Sequence, residues 1–248
     1  MRQLGVSAAL AVALALGLPS EGRAQGDEAR YRITIAGLPI GTARLRVAID
    51  ETAYAVEADA GFRFLFWGGS GTARAHGARE GEALRPERYR VDYEGTRRPG
   101  GAEIAFADGD AVAFASFPEP PAEFVEGRIE IAPEHLAGVL DPLSALVIPV
   151  PDTADPETVC HRVLPVFNGF TRFDLTLAGA AGNGPEGLGC AARYRPVSGH
   201  RPDSRGVERM MRPDAFEIVL APLGALAWAP SRIAVATRFG TVEVSRTD

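Results

Sequence analysis

The strongest constraint on this chain is an alternation of polar and apolar residues with a period of two. Tyr31, Ile33 and Ile35 alternate with Arg30, Arg32 and Thr34. Gly37-Leu38-Pro39-Ile40-Gly41 supplies a turn, after which Leu45, Val47 and Ile49 alternate with Arg44, Arg46 and Asp50. Successive side chains on a strand point to opposite faces, so the pattern predicts an antiparallel hairpin with one apolar and one wet face. A third strand is expected over 52–60, where Tyr54 and Val56 share a face. Others are expected over 88–93, 102–107, 111–117, 159–167, 170–178, 188–194, 216–220, 232–238 and 241–245. Asp108-Gly109 and Asn168-Gly169 carry the chemistry of tight hairpin turns.

Only one stretch reads as helical. Pro133 suits a first helical turn, with Leu136, Val139 and Leu140 as its apolar face. Asp141-Pro142 reads as a new N-cap with proline at the first helical position, opening a second short helix that carries Leu143 and Leu146. The expected fold is mostly β: a curved antiparallel sheet or open half-barrel with two short central helices. Pro118, Pro120 and Pro121 break the strand pattern and suggest a division into two halves near 117–132.

Residues 1–24 read as a secretory signal. Arg2 gives a positive start, residues 8–18 an unbroken apolar run of 11, and Gly22 and Ala24 the small residues a signal peptidase reads. A membrane span takes roughly 20 apolar residues, so this run is too short to be one. Cleavage after Ala24 is expected to release a single mostly β periplasmic domain over 25–248. No cysteine follows the cleavage site, which excludes a lipoprotein anchor at Gln25, and no second arginine follows Arg2.

Composition narrows the function. A net charge of −6 offers no field for phosphates, so nucleic acid is not an expected partner. The chain has no lysine, all 26 basic residues being arginine. That excludes a pyridoxal-phosphate Schiff base and a P-loop nucleotide site. No cofactor is expected.

The two cysteines, Cys160 and Cys190, read as a disulfide in an oxidising compartment. Such a bridge would stabilise the fold by roughly 3–4 kcal/mol on the chain-entropy model. The alternative is a metal site shared with His161 or His200. Adjacent residues on a strand face opposite ways, which sets Cys160 and His161 against a common metal.

Familiar catalytic constellations are incomplete. His76, His135, His161 and His200 lack ligand spacing, and neither Ser70 nor Ser198 sits in Gly-x-Ser-x-Gly. Gly68-Gly69-Ser70-Gly71 does not open a helix after a βαβ strand, so it is no phosphate cradle. Two segments remain. Phe62, Phe64 and Phe66 form an aromatic stripe at strand spacing, ending at Trp67 and the flexible Gly-rich run. The stripe is either core or the wall of an apolar ligand groove. Arg193, Arg195, His200 and Arg201 crowd one short stretch. Arginine forks bind carboxylate or phosphate in bidentate fashion, which suits an anionic head group; the plainer role is pairing with the protein's own acids.

The signal, the hairpin of Tyr31, Gly37 and Gly41, and Asp141-Pro142-Leu143-Ser144 resemble one exported bacterial family, catalogued as domain of unknown function 3108. Phe167-Asn168-Gly169 with Arg172-Phe173-Asp174, Cys160 paired with Cys190, and Tyr194-Arg195-Pro196 with Gly199-His200-Arg201 complete the resemblance. It spans nearly all of the chain after the signal. Where the family often carries an acidic residue at the Asn168-Gly169 turn, this chain has asparagine. The resemblance implies export and a β-rich fold and brings no catalytic residue. By analogy of fold alone, such sheets resemble the open half-barrels of periplasmic lipoprotein carriers.

The leading expectation is a periplasmic, non-catalytic envelope protein that binds an apolar or lipid-like ligand or docks an envelope protein partner. The second is a periplasmic hydrolase using His161 or His200 as base. The third, an outer-membrane barrel, is disfavoured. Five tyrosines and two tryptophans are few for aromatic girdles, and residues 245–248 lack a terminal aromatic.

Overall fold

The computed structural model describes residues 26–95, 99–150, 156–184 and 186–248. The expected signal segment and its cleavage site lie outside them. Strands β1 (Asp27–Ile35) and β2 (Leu38–Ile49) form the expected hairpin. The meander continues through β3 (Ala53–Phe64), β4 (Trp67–Glu80), β5 (Ala83–Gly95), β6 (Gly100–Ala107) and β7 (Asp110–Phe117). A short helix α1 (Ala122–Val125) then begins a crossing segment that leads through β8 (Ile148–Pro149) and α2 (Pro156–Val159). A second meander follows: β9 (Arg162–Phe167), β10 (Arg172–Gly184), β11 (Gly187–Ser198), helix α3 (Arg205–Met210), β12 (Phe216–Pro222), β13 (Ala227–Thr237) and β14 (Gly240–Arg246). Strand β14 pairs with β1, so the two meanders are one antiparallel sheet running from β7 at one edge to β9 at the other.

The sheet is strongly curled. Thirteen strands lie in a row along it. Laid flat at ~4.8 Å spacing, its edge strands would stand roughly 58 Å apart. Instead Phe114 on β7 and Phe167 on β9 meet edge to face, ring centroids 5.0 Å apart. The edges approach through side chains, and the sheet is not closed into a hydrogen-bonded barrel.

Two apolar clusters fill the interior. The first collects the inner faces of β1–β7 with Val139, Leu143, Val147 and Phe167. The second collects β9–β12 with Ile148, Val150 and Val159. Leu140 packs against both. At its end β9 buries both faces, Phe167 into the first cluster and Leu164 and Val166 into the second, while Val163 on the face of Phe167 is 56% exposed. Cys160 and Cys190 are joined as a disulfide with Cα atoms 5.4 Å apart, buried in the second cluster, while His161 beside them is exposed.

Three local features differ from the sequence expectation. Residues 68–71 are not a flexible run but part of β4, because β3 and β5 satisfy them on both sides, through pairs such as Gly71 with Ala60 and with Tyr93. A Cβ at Gly69 would stand 2.7 Å from the Glu94 carbonyl oxygen, so the close strand approach itself calls for glycine. The two expected central helices are single 3₁₀ turns, Pro133–Leu136 and Ser144–Leu146. Pairing with β9 wins over further helix: Leu140 donates its N–H to the Pro165 carbonyl (2.7 Å) and accepts from Phe167 (2.9 Å). Helix α3, capped by Ser204 Oγ accepting from the Val207 N–H, lies outside the one stretch that reads as helical in the sequence. Among the described residues no helix is long and apolar enough to cross a membrane.

Candidate functional site

On β2 to β5 the inner face carries Leu45 and Val47, Tyr54 and Val56, Ala73 and Ala75, Tyr89 and Val91, all packed in the first cluster. Period-two geometry carries the same face onward toward the β3–β4 turn. There it presents Ala60 and Phe62, then Gly71, Gly69 and Trp67, then Tyr93 and Gly95, in register with one another. The cover stops short of them: Phe62 is 47% exposed, Tyr93 48% and Trp67 53%. The result is an open cleft of ≈ 850 Å³ walled by Phe62, Trp67 and Tyr93 and floored by glycine. Phe66, 81% exposed, stands at its lip. Of the four aromatic residues singled out from the sequence, Phe62, Phe66 and Trp67 line the cleft, and half-buried Phe64 does not.

A second cleft, ≈ 660 Å³, opens where β7 faces the β9–β10 turn. Phe114, Phe124, Ile129, Ile131 and Phe170 line it, and the Arg128 guanidinium lies 4.1 Å over the Phe124 ring. Its walls come from three segments distant along the chain, which left no local pattern to read.

A buried polar cluster joins the crossing segment to the start of β3. Asp141 Oδ1 accepts from the N–H groups of Leu143 (2.9 Å) and Ser144 (3.0 Å), and Oδ2 accepts from Ser144 Oγ at 2.5 Å. With that proton committed, the Tyr54 hydroxyl, 2.7 Å away, donates to Ser144 Oγ. The cap expected at Asp141 therefore exists, on a turn rather than a helix, and it pins the crossing segment to β3. Burial pushes the Asp141 carboxyl above its ordinary value, against the hydrogen bonds from Ser144 and Leu143 that favour the charged form. Burial likewise pushes the Tyr54 phenol up, with the Asp141 charge adding to it.

The residues of 193–201 are spread over several tasks. Arg195 pairs with buried Asp174, which also holds Arg172 at 2.6 Å. Arg201 donates to the Glu123 carbonyl at 2.7 Å, and Arg193 is exposed. His200 Nδ1 and Ser198 Oγ are buried without a hydrogen-bond partner among the described residues. None of Arg193, Arg195, His200 and Arg201 lines either cleft. Neither Ser144 nor Ser198 is hydrogen-bonded to a histidine. Among the described residues no group of histidine, cysteine and carboxylate side chains is placed to hold a metal ion.

Comparison with known proteins gives one finding. No curated protein and no solved structure matches the chain. A family model does match, over residues 30–186, a span that holds the cleft, the buried Asp141 cluster and the seam between β7 and β9. Cys190 and the arginine-rich stretch lie beyond that span, so the resemblance is shorter than the sequence motifs suggested. More than half of the chain is matched, and the protein belongs to the family described as protein of unknown function (DUF3108).

Proposed function

We propose that the protein is an exported, non-catalytic binding module that holds an acyl chain of a lipid-like ligand in the cleft walled by Phe62, Trp67 and Tyr93. One observation carries this reading: the apolar face of the core continues past its cover and ends in glycine-floored open space. A volume of ≈ 850 Å³ falls within the roughly 300–1,000 Å³ of small-molecule sites. Each methylene buried is worth about 0.8 kcal/mol, so roughly sixteen supply about 13 kcal/mol, enough to offset about 5 kcal/mol of ordering cost and leave micromolar affinity. The signal-like residues 1–24 and the buried disulfide support export to the periplasm after cleavage behind Ala24, where such bridges persist.

The test is native mass spectrometry of the exported protein, purified without detergent. A co-purifying fatty acid or phospholipid is expected, or uptake of added oleate at one equivalent. Protein that arrives empty and takes up no oleate contradicts the reading.

A further inference from the structure

The β1–β2, β3–β4 and β13–β14 turns gather at one end of the sheet. The Ala36 N–H donates to the Thr241 carbonyl at 2.9 Å, and the Trp67 and Phe239 rings meet edge to face at 6.4 Å. Five of the fourteen exposed large apolar side chains belong to these turns or the residues flanking them: Leu38, Leu65, Phe66, Trp67 and Phe239. Leu65 is 73% exposed and Phe66 81%, and they form the apex of the longest hairpin in that group.

The backbone marks Leu65 as unusual. Tight turns elsewhere put glycine in the left-handed region, as in Ala36-Gly37 (φ 48° and 81°) and Asp108-Gly109 (φ 54° and 87°). At the β3–β4 apex a leucine stands at φ 55° with no glycine beside it. A bulky side chain there carries a steric penalty that asparagine or glycine would relieve. Its side chain touches no core to compensate, so an outside contact is the physical reason to keep it.

Charge indicates what that contact is. Arg63 and Arg238 flank the apex, both exposed, and neither forms an ion pair among the described residues, although the chain as a whole is acidic. The Arg238 guanidinium lies 4.4 Å over the Phe239 ring. A projecting apolar tip collared by unpaired arginines suits a bilayer: side chains enter the acyl boundary while guanidinium groups meet anionic phosphates. A folded protein partner would instead need a pocket shaped to a protruding hairpin.

We propose that the Leu65-Phe66 apex, with Leu38, Trp67 and Phe239, seats on an anionic bilayer surface through Arg63 and Arg238. This goes beyond the binding role of the cleft and does not require it. The test is vesicle flotation with the protein recovered after export, its N-terminus checked by mass. Phosphatidylethanolamine–phosphatidylglycerol vesicles should bind it roughly tenfold or more tightly than phosphatidylcholine vesicles. Leu65→Asn should raise the thermal midpoint while lowering binding, so lost binding cannot be put down to misfolding. Adding Phe66→Ser should lower binding further, and Arg63→Gln with Arg238→Gln should erase the lipid preference. Ala60→Trp, which fills the cleft, should abolish oleate uptake and leave vesicle binding intact, so failure of either proposal is seen separately. Binding unchanged by Leu65→Asn/Phe66→Ser, or no binding to either vesicle, overturns the proposal. So does a dimer in sedimentation that disappears with those substitutions, which would make the apex a self-association surface.

Discussion

Phe114 and Phe167 sit on the two edge strands of one sheet, yet their rings meet edge to face at 5.0 Å. Phe167 is fully buried and Phe114 is 44% exposed, so the contact is a clasp between a core residue and a half-covered one. Phe167→Ala should cost about 3–5 kcal/mol, as for other buried aromatics. A double-mutant cycle with Phe114→Ala, read by urea denaturation, should give a coupling of about 0.5–1.5 kcal/mol. Zero coupling would mean that the seam does not hold the edges together.

Asp141 makes stability depend on pH in a direction opposite to most carboxylates. Burial raises its folded pKa above the ordinary 3.8. The folded state therefore binds the proton more tightly, and this contribution is fully present below pH 3.8 and lost as pH rises through the folded value. Asp141→Asn keeps the shape, with Oδ1 still accepting from the backbone and Nδ2 donating to Ser144. The stability of wild type minus that of Asp141→Asn should fall as pH rises from about 3.8 and level off above the folded pKa. A difference that rises over that window would show a carboxylate stabilised in its charged form.

The pair Arg172 and Asp174 is the other buried ionic feature, 9% and 3% exposed. Asp174→Ala strands the Arg172 cation, whose Nε already lacks a partner, and should cost about 3–5 kcal/mol. Arg195→Ala removes a partner whose side chain is 72% exposed and should cost less than about 1 kcal/mol. Equal losses in chemical denaturation would contradict this division.

Cys160 and Cys190, 30 residues apart, tie the turn between α2 and β9 to β11. Intact mass after alkylation should show both thiols blocked until reductant is added. Cys160→Ser with Cys190→Ser should lower stability by roughly 3–4 kcal/mol.

Much of the sheet was legible because period two is a local signal. Tyr31, Ile33 and Ile35 declared β1 without help from any neighbour, and Asn168-Gly169 declared its own turn, where Asn168 Oδ1 accepts from the N–H groups of Phe170 and Thr171. The glycines of β4 were not legible, since what holds them is pairing on both sides and not their own propensity. The two short helices stand where the sequence put them but stop at a single 3₁₀ turn each, for a related reason: Leu140 has helical spacing, but its backbone is claimed by β9. At the cleft, the aromatic stripe marked Phe62 and Trp67. Whether the core covered them depended on where the crossing segment runs. Tyr93 and Gly71 enter only through register, and the second cleft only through the curl of the sheet.

The central claim is that the uncovered inner face of β3–β5 is a ligand site. Ala60 lies on that face, exposed and outside the core, so a larger side chain there fills the cleft without disturbing what lies below. The direct measurement is a fluorescent fatty-acid titration of wild type and Ala60→Trp, at matched thermal midpoints and without vesicles. The account predicts saturable, one-to-one, micromolar binding to wild type and at least a tenfold loss in Ala60→Trp. Equal binding to the two proteins, or none to either, would contradict it.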